Sequence, residues 1–186
     1  MTSFTRGLLA ALFLVLPQLG LGAVEDCANC HPAQTADWRG SHHDLAMQVA
    51  TPDTVLGDFN NSEFNYAGVS TRFRREGDRF IVHTDGEDGK LRDFEVQYVF
   101  GVYPLQQYLL LLDRGRLQAL SVAWDSRPAE EGGQRWFHLY PDDEIDHKDP
   151  LHWTGPYHNW NTRCAECHST DLEKNYDNAS RSFDTQ

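Results

Sequence analysis

Apolar and polar residues alternate differently in successive stretches of this chain, and each change marks an expected element. Residues 8–17 (LLAALFLVLP) form an apolar run, with Arg6 before them and the small residues Gly20, Gly22 and Ala23 after them. A basic start, a short apolar run and a small-residue cleavage site describe a secretory signal peptide over residues 1–22. The run is too short for a bilayer span, which takes about 20 residues. PAQTADWRGSHHDLAM (32–47) reads as helix, and Pro32 suits its first position. Trp38, His42 and Ala46 share one i, i+4 stripe, Asp37, Ser41 and Leu45 share the next, and His43 and Met47 are similarly spaced.

Residues 51–145 read mostly as strands. DRFIVHTD and LRDFEVQYVFG enclose GEDGK, and QYLLLL and RLQALSVAW enclose DRG, which gives two expected hairpins. In FEVQYVF the residues Phe94, Val96, Tyr98 and Phe100 recur at every second position and are expected on one face. STRFRREG is expected as a solvated neighbouring strand. The whole pattern gives an α+β fold class, an antiparallel β-rich insert flanked by short helical or irregular segments.

The 186 residues fit one domain or a compact pair, with enough chain beyond residue 22 for a hydrophobic core. Charge narrows the partners. Against 16 bases stand 28 acids, a formal charge of −12, so the basic footprint of a nucleic-acid binder is missing and docking partners are expected to be basic. No later stretch is apolar enough to span a membrane, so after cleavage the chain is expected in the periplasm or otherwise outside the cytoplasm.

The chemistry enters with the cysteines. All four lie in two words, CANCH (27–31) and CAECH (164–168). A four-cysteine zinc site brings two Cys-x-x-Cys pairs together, and a thioredoxin-like enzyme uses one pair at a helix start. Covalent haem attachment needs two thiols for the vinyl groups and a histidine directly after them as proximal iron ligand. Only the last accounts for the histidine, and it does so twice. Two covalent c-type haems with iron are therefore expected, one on Cys27 and Cys30 with His31, the other on Cys164 and Cys167 with His168. The chain divides into a signal peptide (1–22), a first haem segment (23–50), the β-rich insert (51–145) and a second haem segment (146–186). A haem is a large apolar plate and supplies core that such short segments lack.

The far axial position decides what an iron does: a protein ligand favours electron transfer, an open site favours binding or chemistry. His42 and His43 are the best placed beside a haem word. Met47, the methionine left after cleavage, is either a ligand that raises the reduction potential or ordinary packing. The acidic stretches around Asp85, Glu87 and Asp88 and in PDDEIDHKD lack the spacing of a calcium loop.

CANCHPAQTADWRGSHHDLAM resembles the opening module of multihaem c-type cytochromes, in which CxxCH is followed by W-x-x-S-x-H-x-x-A-M; here that pattern falls on Trp38, Ser41, His43, Ala46 and Met47. The chain is similar to the tetrahaem cytochromes of ammonia oxidisers. It is closer to large exported cytochromes with tetratricopeptide repeats, where stretches like FGVYPLQQYL, GRLQALSVAWDSRP, GGQRWFHLYPDD and LHWTGPYHNWNTRCAECHST recur. The resemblance implies that His43 is a distal haem ligand and that His138 and His152 are the next candidates, ahead of His158. Such proteins continue with a third CxxCH and helical repeats, so this chain is expected to be a fragment or a trimmed relative, with a further haem or a tetratricopeptide region outside it.

The expected function is single-electron transfer between exported redox partner proteins, by a carrier more than a catalyst. The alternatives are a redox enzyme with one five-coordinate haem, and a binding or sensory module that haem stabilises. No catalytic residue is assigned.

Overall fold

The structure is a computed structural model that describes residues 24–169 and 172–185, and only the backbone of residues 24–26. The expected signal peptide lies outside the described residues. Two short helices come first, α1 (Val24–Cys30) and α2 (Pro32–Trp38). Nine strands follow: β1 (Met47–Val49), β2 (Asn60–Tyr66), β3 (Val69–Glu76), β4 (Arg79–Asp85), β5 (Leu91–Phe100), β6 (Leu105–Leu112), β7 (Arg116–Ala119), β8 (Val122–Asp125) and β9 (Arg135–His138). The chain then forms α3 (Trp160–Arg163) and α4 (Ala165–His168), and a small hairpin of β10 (Tyr176–Asp177) and β11 (Ser182–Phe183). Among the described residues no helix is long and apolar enough to cross a membrane.

Pro32 opens α2 as expected, but the helix stops at Trp38 instead of running on to Met47. Gly40 takes a left-handed φ of 73° and its N–H donates to Asp44 Oδ2 at 2.7 Å, which turns the chain. A single 3-10 turn over Asp44–Ala46 leads into β1, so the i, i+4 stripes beyond Trp38 do not form.

The nine strands make one antiparallel sheet in the order β2-β3-β4-β5-β6-β8-β9, with β1 paired to β5 and β7 to β6. Both expected hairpins are present, β4 with β5 and β6 with β7. A two-residue loop with positive φ at Ala67 and Gly68 joins β2 to β3, the backbone twist that short hairpins require. STRFRREG does lie beside β4, yet Thr71 and Phe73 are buried, and solvent meets Arg72 and the last residues, Arg75 and Glu76. Outward from that strand Arg74 grips Asp93 with two nitrogens at 2.6 and 3.0 Å, and His83 Nδ1 lies 2.7 Å from the same carboxylate. These partners, Arg74 foremost, hold the Asp93 carboxyl down at about 2.

The sheet curls until its ends touch. Trp136 on β9 donates its indole N–H to Ser62 Oγ on β2 at 2.9 Å, and the Tyr66 hydroxyl donates to the Tyr140 carbonyl at 2.9 Å. Inside the curl Trp136 stacks on Phe73 with centroids 3.6 Å apart, and meets Phe59 and Trp124 edge-on at 5.6 and 5.1 Å. Tyr108, buried beside them, accepts the Gly57 N–H at 3.0 Å. A Cβ on Gly57 would run into that hydroxyl and into the Trp136 ring, so only glycine fits.

Phe94, Val96, Tyr98 and Phe100 do not share a face. The β5–β6 register shifts between Val96 and Tyr98, and one extra residue reverses the side-chain parity. Phe94, Val96 and Val99 pack into the aromatic interior, while Tyr98 and Phe100 join a second cluster of Leu109, Leu117, Ala119, Trp160 and Ala165. Strand β6 is consequently covered on both sides: Tyr108 and Leu110 face the first cluster and Leu109 the second. That is why Tyr108, Leu109 and Leu110 read as a continuous apolar run, which Leu111 extends into solvent.

Trp136→Ala should lower the folding free energy by about 3–5 kcal/mol, because it empties the centre of the curl and removes the bond to Ser62. Urea denaturation followed by tryptophan fluorescence measures it, and a loss below about 1 kcal/mol would show that the core collapses freely around the gap.

Candidate haem site

Each haem word folds as one helical turn. The His31 N–H donates to the Cys27 carbonyl at 2.8 Å, and the His168 N–H donates to the Cys164 carbonyl at 3.1 Å. Residues three and four apart on a helix are neighbours on its surface, so each word keeps its two cysteines and its histidine close together, with His31 at the non-helical start of α2 and Cys164 between α3 and α4. This is what the spacing C-x-x-C-H achieves: the thiols meet the vinyl groups while the imidazole addresses the iron. Cys27, Cys30 and His31 are exposed, the histidine at the start of α2. The four cysteines are free of disulfides. Among the described residues no three His, Cys, Asp or Glu side chains converge as a metal-binding group.

The second word is fastened to the sheet by buried amides. Asn161 Oδ1 accepts the Leu117 N–H at 2.8 Å, and Asn159 Nδ2 donates to Gln118 Oε1 at 3.0 Å. Gln118 Nε2 donates in turn to the carbonyls of Trp153 and Gly155 at 3.0 and 2.9 Å. Asn159 also caps α3, accepting the Thr162 N–H at 3.1 Å. Asn161 and Gln118 are 0% and 1% exposed, so these bonds replace water that the groups have lost. None of the three amides was singled out by sequence. The cue was weak, polar residues of HNWN set around a tryptophan, because their partners lie about forty positions earlier.

A cavity of about 670 Å³ opens against this word, and Cys167 and His168 lie on its wall. The other side comes from the first haem segment, through Trp38, His43, Ala46 and Met47. Tyr98, Leu117, Trp160 and Leu172 give it an apolar surface, and Asp44, Ser169 and Thr185 are its polar members. The volume falls within the range of about 300–1,000 Å³ typical of cofactor sites. Burial raises the Cys164 thiol above its ordinary value. A thioether is neutral, so it tolerates that half-buried position where a thiolate would not. Wall and volume therefore fit a covalently held haem at the second word, with Cys167 and His168 on the wall and Cys164 packed into the apolar cluster beside it. His168 stands 6.0 Å from the Phe100 ring, edge to face.

The remaining sequence-assigned histidines sit elsewhere. His138 and His152 line a separate cavity of about 30 Å³, the share of one water molecule. Both His152 nitrogens have partners, Nδ1 with Thr154 Oγ1 at 2.7 Å and Nε2 with Asp85 Oδ2 at 3.1 Å. His138 stacks on Tyr66 at 3.6 Å and its Nδ1 accepts the Tyr140 N–H at 3.1 Å. Burial lowers the pKa of His138 and of nearby His158, which favours neutral rings. His42 lies beside Tyr103, with ring centroids 6.1 Å apart. The structure thus brings His43, Met47, Cys167 and His168 together and leaves His31, His138 and His152 outside that cavity.

Residues 26–75 match the profile of the family described as cytochrome c554 and c-prime. The matched part carries CANCH, His43 and Met47 and ends within β3, before the second word. The match supports a c-type cytochrome with covalent haem c, iron and a role in electron transfer. The chain matches no curated protein and no solved structure.

Asn161→Ala leaves the buried Leu117 N–H without an acceptor and should destabilise the protein by about 1–3 kcal/mol. Denaturant titration checks the size of the loss; an unchanged midpoint would mean that water replaces the amide and that the anchoring of α3 is not needed.

Proposed function

We propose that the protein is an exported c-type cytochrome that relays single electrons through two covalent haems. The supporting observation is the repeated turn, in which the N–H of each word's histidine donates to the carbonyl of its first cysteine, together with a cavity of about 670 Å³ bordered by Cys167 and His168 of the second word. Haem supplies a one-electron iron couple whose potential follows its axial ligands and burial.

Cys27 and Cys30 hold the first group with His31 as proximal ligand; Cys164, Cys167 and His168 do the same for the second. His43 is the leading distal ligand. His138 and His152 follow. His138 keeps its Nδ1 on the Tyr140 N–H and offers Nε2, whereas His152 must first break the Asp85 bond at its own Nε2. Helix α2 (Pro32–Trp38) separates His31 from the cavity wall and spans about 10 Å at 1.5 Å per residue, so the first word lies a short way from the cavity of the second. Nearness of this kind suits relay between the two sites.

The β-rich insert does two jobs in this reading. Its aromatic interior makes a rigid body, and Tyr98, Leu117 and their neighbours floor the haem cavity. The acidic balance of the chain suits docking to basic redox partners outside the cytoplasm. The apolar run before residue 23 supports export.

A pyridine haemochrome assay with intact mass measurement on the secreted chain should give two covalent haems per polypeptide. Cys164→Ser with Cys167→Ser should reduce this to one. A wild-type chain with one haem or none contradicts the reading.

A further inference from the structure

We infer that His43, although it belongs to the first haem segment, is the distal ligand of the iron held by His168, so that one axial pair ties the two segments together. The inference rests on the two-haem reading above and adds which iron His43 serves.

Position supports the assignment. His43 and His168 border one cavity, and none of Cys27, Cys30 and His31 borders it. Each of the two imidazoles is delivered by its own anchor. The His43 turn is fixed by Asp44, which accepts the Gly40 N–H, and by the Leu45 N–H donating to the Ser41 carbonyl at 3.0 Å. Directly after it the Gly101 N–H donates to the Ala46 carbonyl at 2.8 Å, and Met47 pairs with Phe100 in the β1–β5 ladder. His168 arrives from the other side, on the turn that Asn159 and Asn161 fasten to β7. Strand β5 joins the two anchors, since Phe100 pairs with Met47 and its ring faces His168.

Chemistry distinguishes His43 from its competitors. Among the described residues its imidazole takes no hydrogen bond or ion pair, whereas both nitrogens of His152 are engaged. Met47 also reaches the cavity, but its side chain packs against the Leu109 and Leu117 cluster and serves as wall. An exposed, unpaired imidazole on an apolar-walled cavity is an iron ligand in waiting.

Two single-haem chains test this. Cys27→Ser with Cys30→Ser leaves only the second word able to load; Cys164→Ser with Cys167→Ser leaves only the first. His43→Ala is then added to each. In the chain loaded at the second word, His43→Ala should convert the low-spin spectrum to high-spin and allow the ferrous protein to take up one carbon monoxide per haem. Added imidazole should restore the low-spin spectrum, which a merely misfolded protein would not do. In the chain loaded at the first word, the spectrum should not change. The opposite pattern, or a second-word haem indifferent to His43→Ala, overturns the ligand assignment and leaves the two-haem reading standing. Absence of covalent haem from the chain that keeps only the second word overturns both.

Discussion

Burial of one strand on both faces is the constraint from which the rest follows. On one side of β6, Tyr108 and Leu110 close an aromatic interior; on the other, Leu109 meets Leu117, Trp160 and Ala165. A strand with only one dry face would leave the second word, through Cys164 and Ala165, nothing to pack on. With two, the sheet has a core of its own on one side and, through Tyr98 and Leu117, a wall for the cavity on the other. The bulge in β5 is the device that makes this possible, because it turns Tyr98 and Phe100 to the second cluster without withdrawing Val99 from the interior. Beside β6, strand β7 continues that cluster with Leu117 and Ala119.

Polar chemistry then fixes what apolar packing alone would leave loose. Hydrophobic contact is non-directional, so it does not decide where a short turn such as CAECH points. Gln118, Asn159 and Asn161 decide it, through buried bonds whose loss would strand backbone groups away from water. Farther along the outer side of the sheet, on β3, β4 and β5, the charged ladder of Arg74, Asp93 and His83 is partly exposed and adds little to stability.

Local signals were legible in the sequence and long-range ones were not. CANCH and CAECH declare themselves because three chemical roles occupy fixed positions in five residues. The β4–β5 hairpin was readable because its turn residues and flanking alternation are contiguous. Helix α2 began where Pro32 indicated, but its end lay in Gly40, whose left-handed conformation outweighed the periodicity after it. The bulge between Val96 and Tyr98 left no mark on the alternation, since inserting one residue preserves the look of the pattern while reversing its direction. The cavity was the least visible feature. Trp38, Tyr98, Leu117 and Trp160 come from four separate stretches, and only the closed sheet brings them to one wall.

Everything functional turns on whether the cavity between the two haem segments is the seat of an iron porphyrin. Anomalous diffraction at the iron absorption edge, on crystals of the secreted protein, tests it most directly. Two iron peaks are expected, one beside His31 and one inside the cavity bordered by His43 and His168. A cavity filled by protein side chains or solvent alone, with no iron signal next to His168, would contradict it.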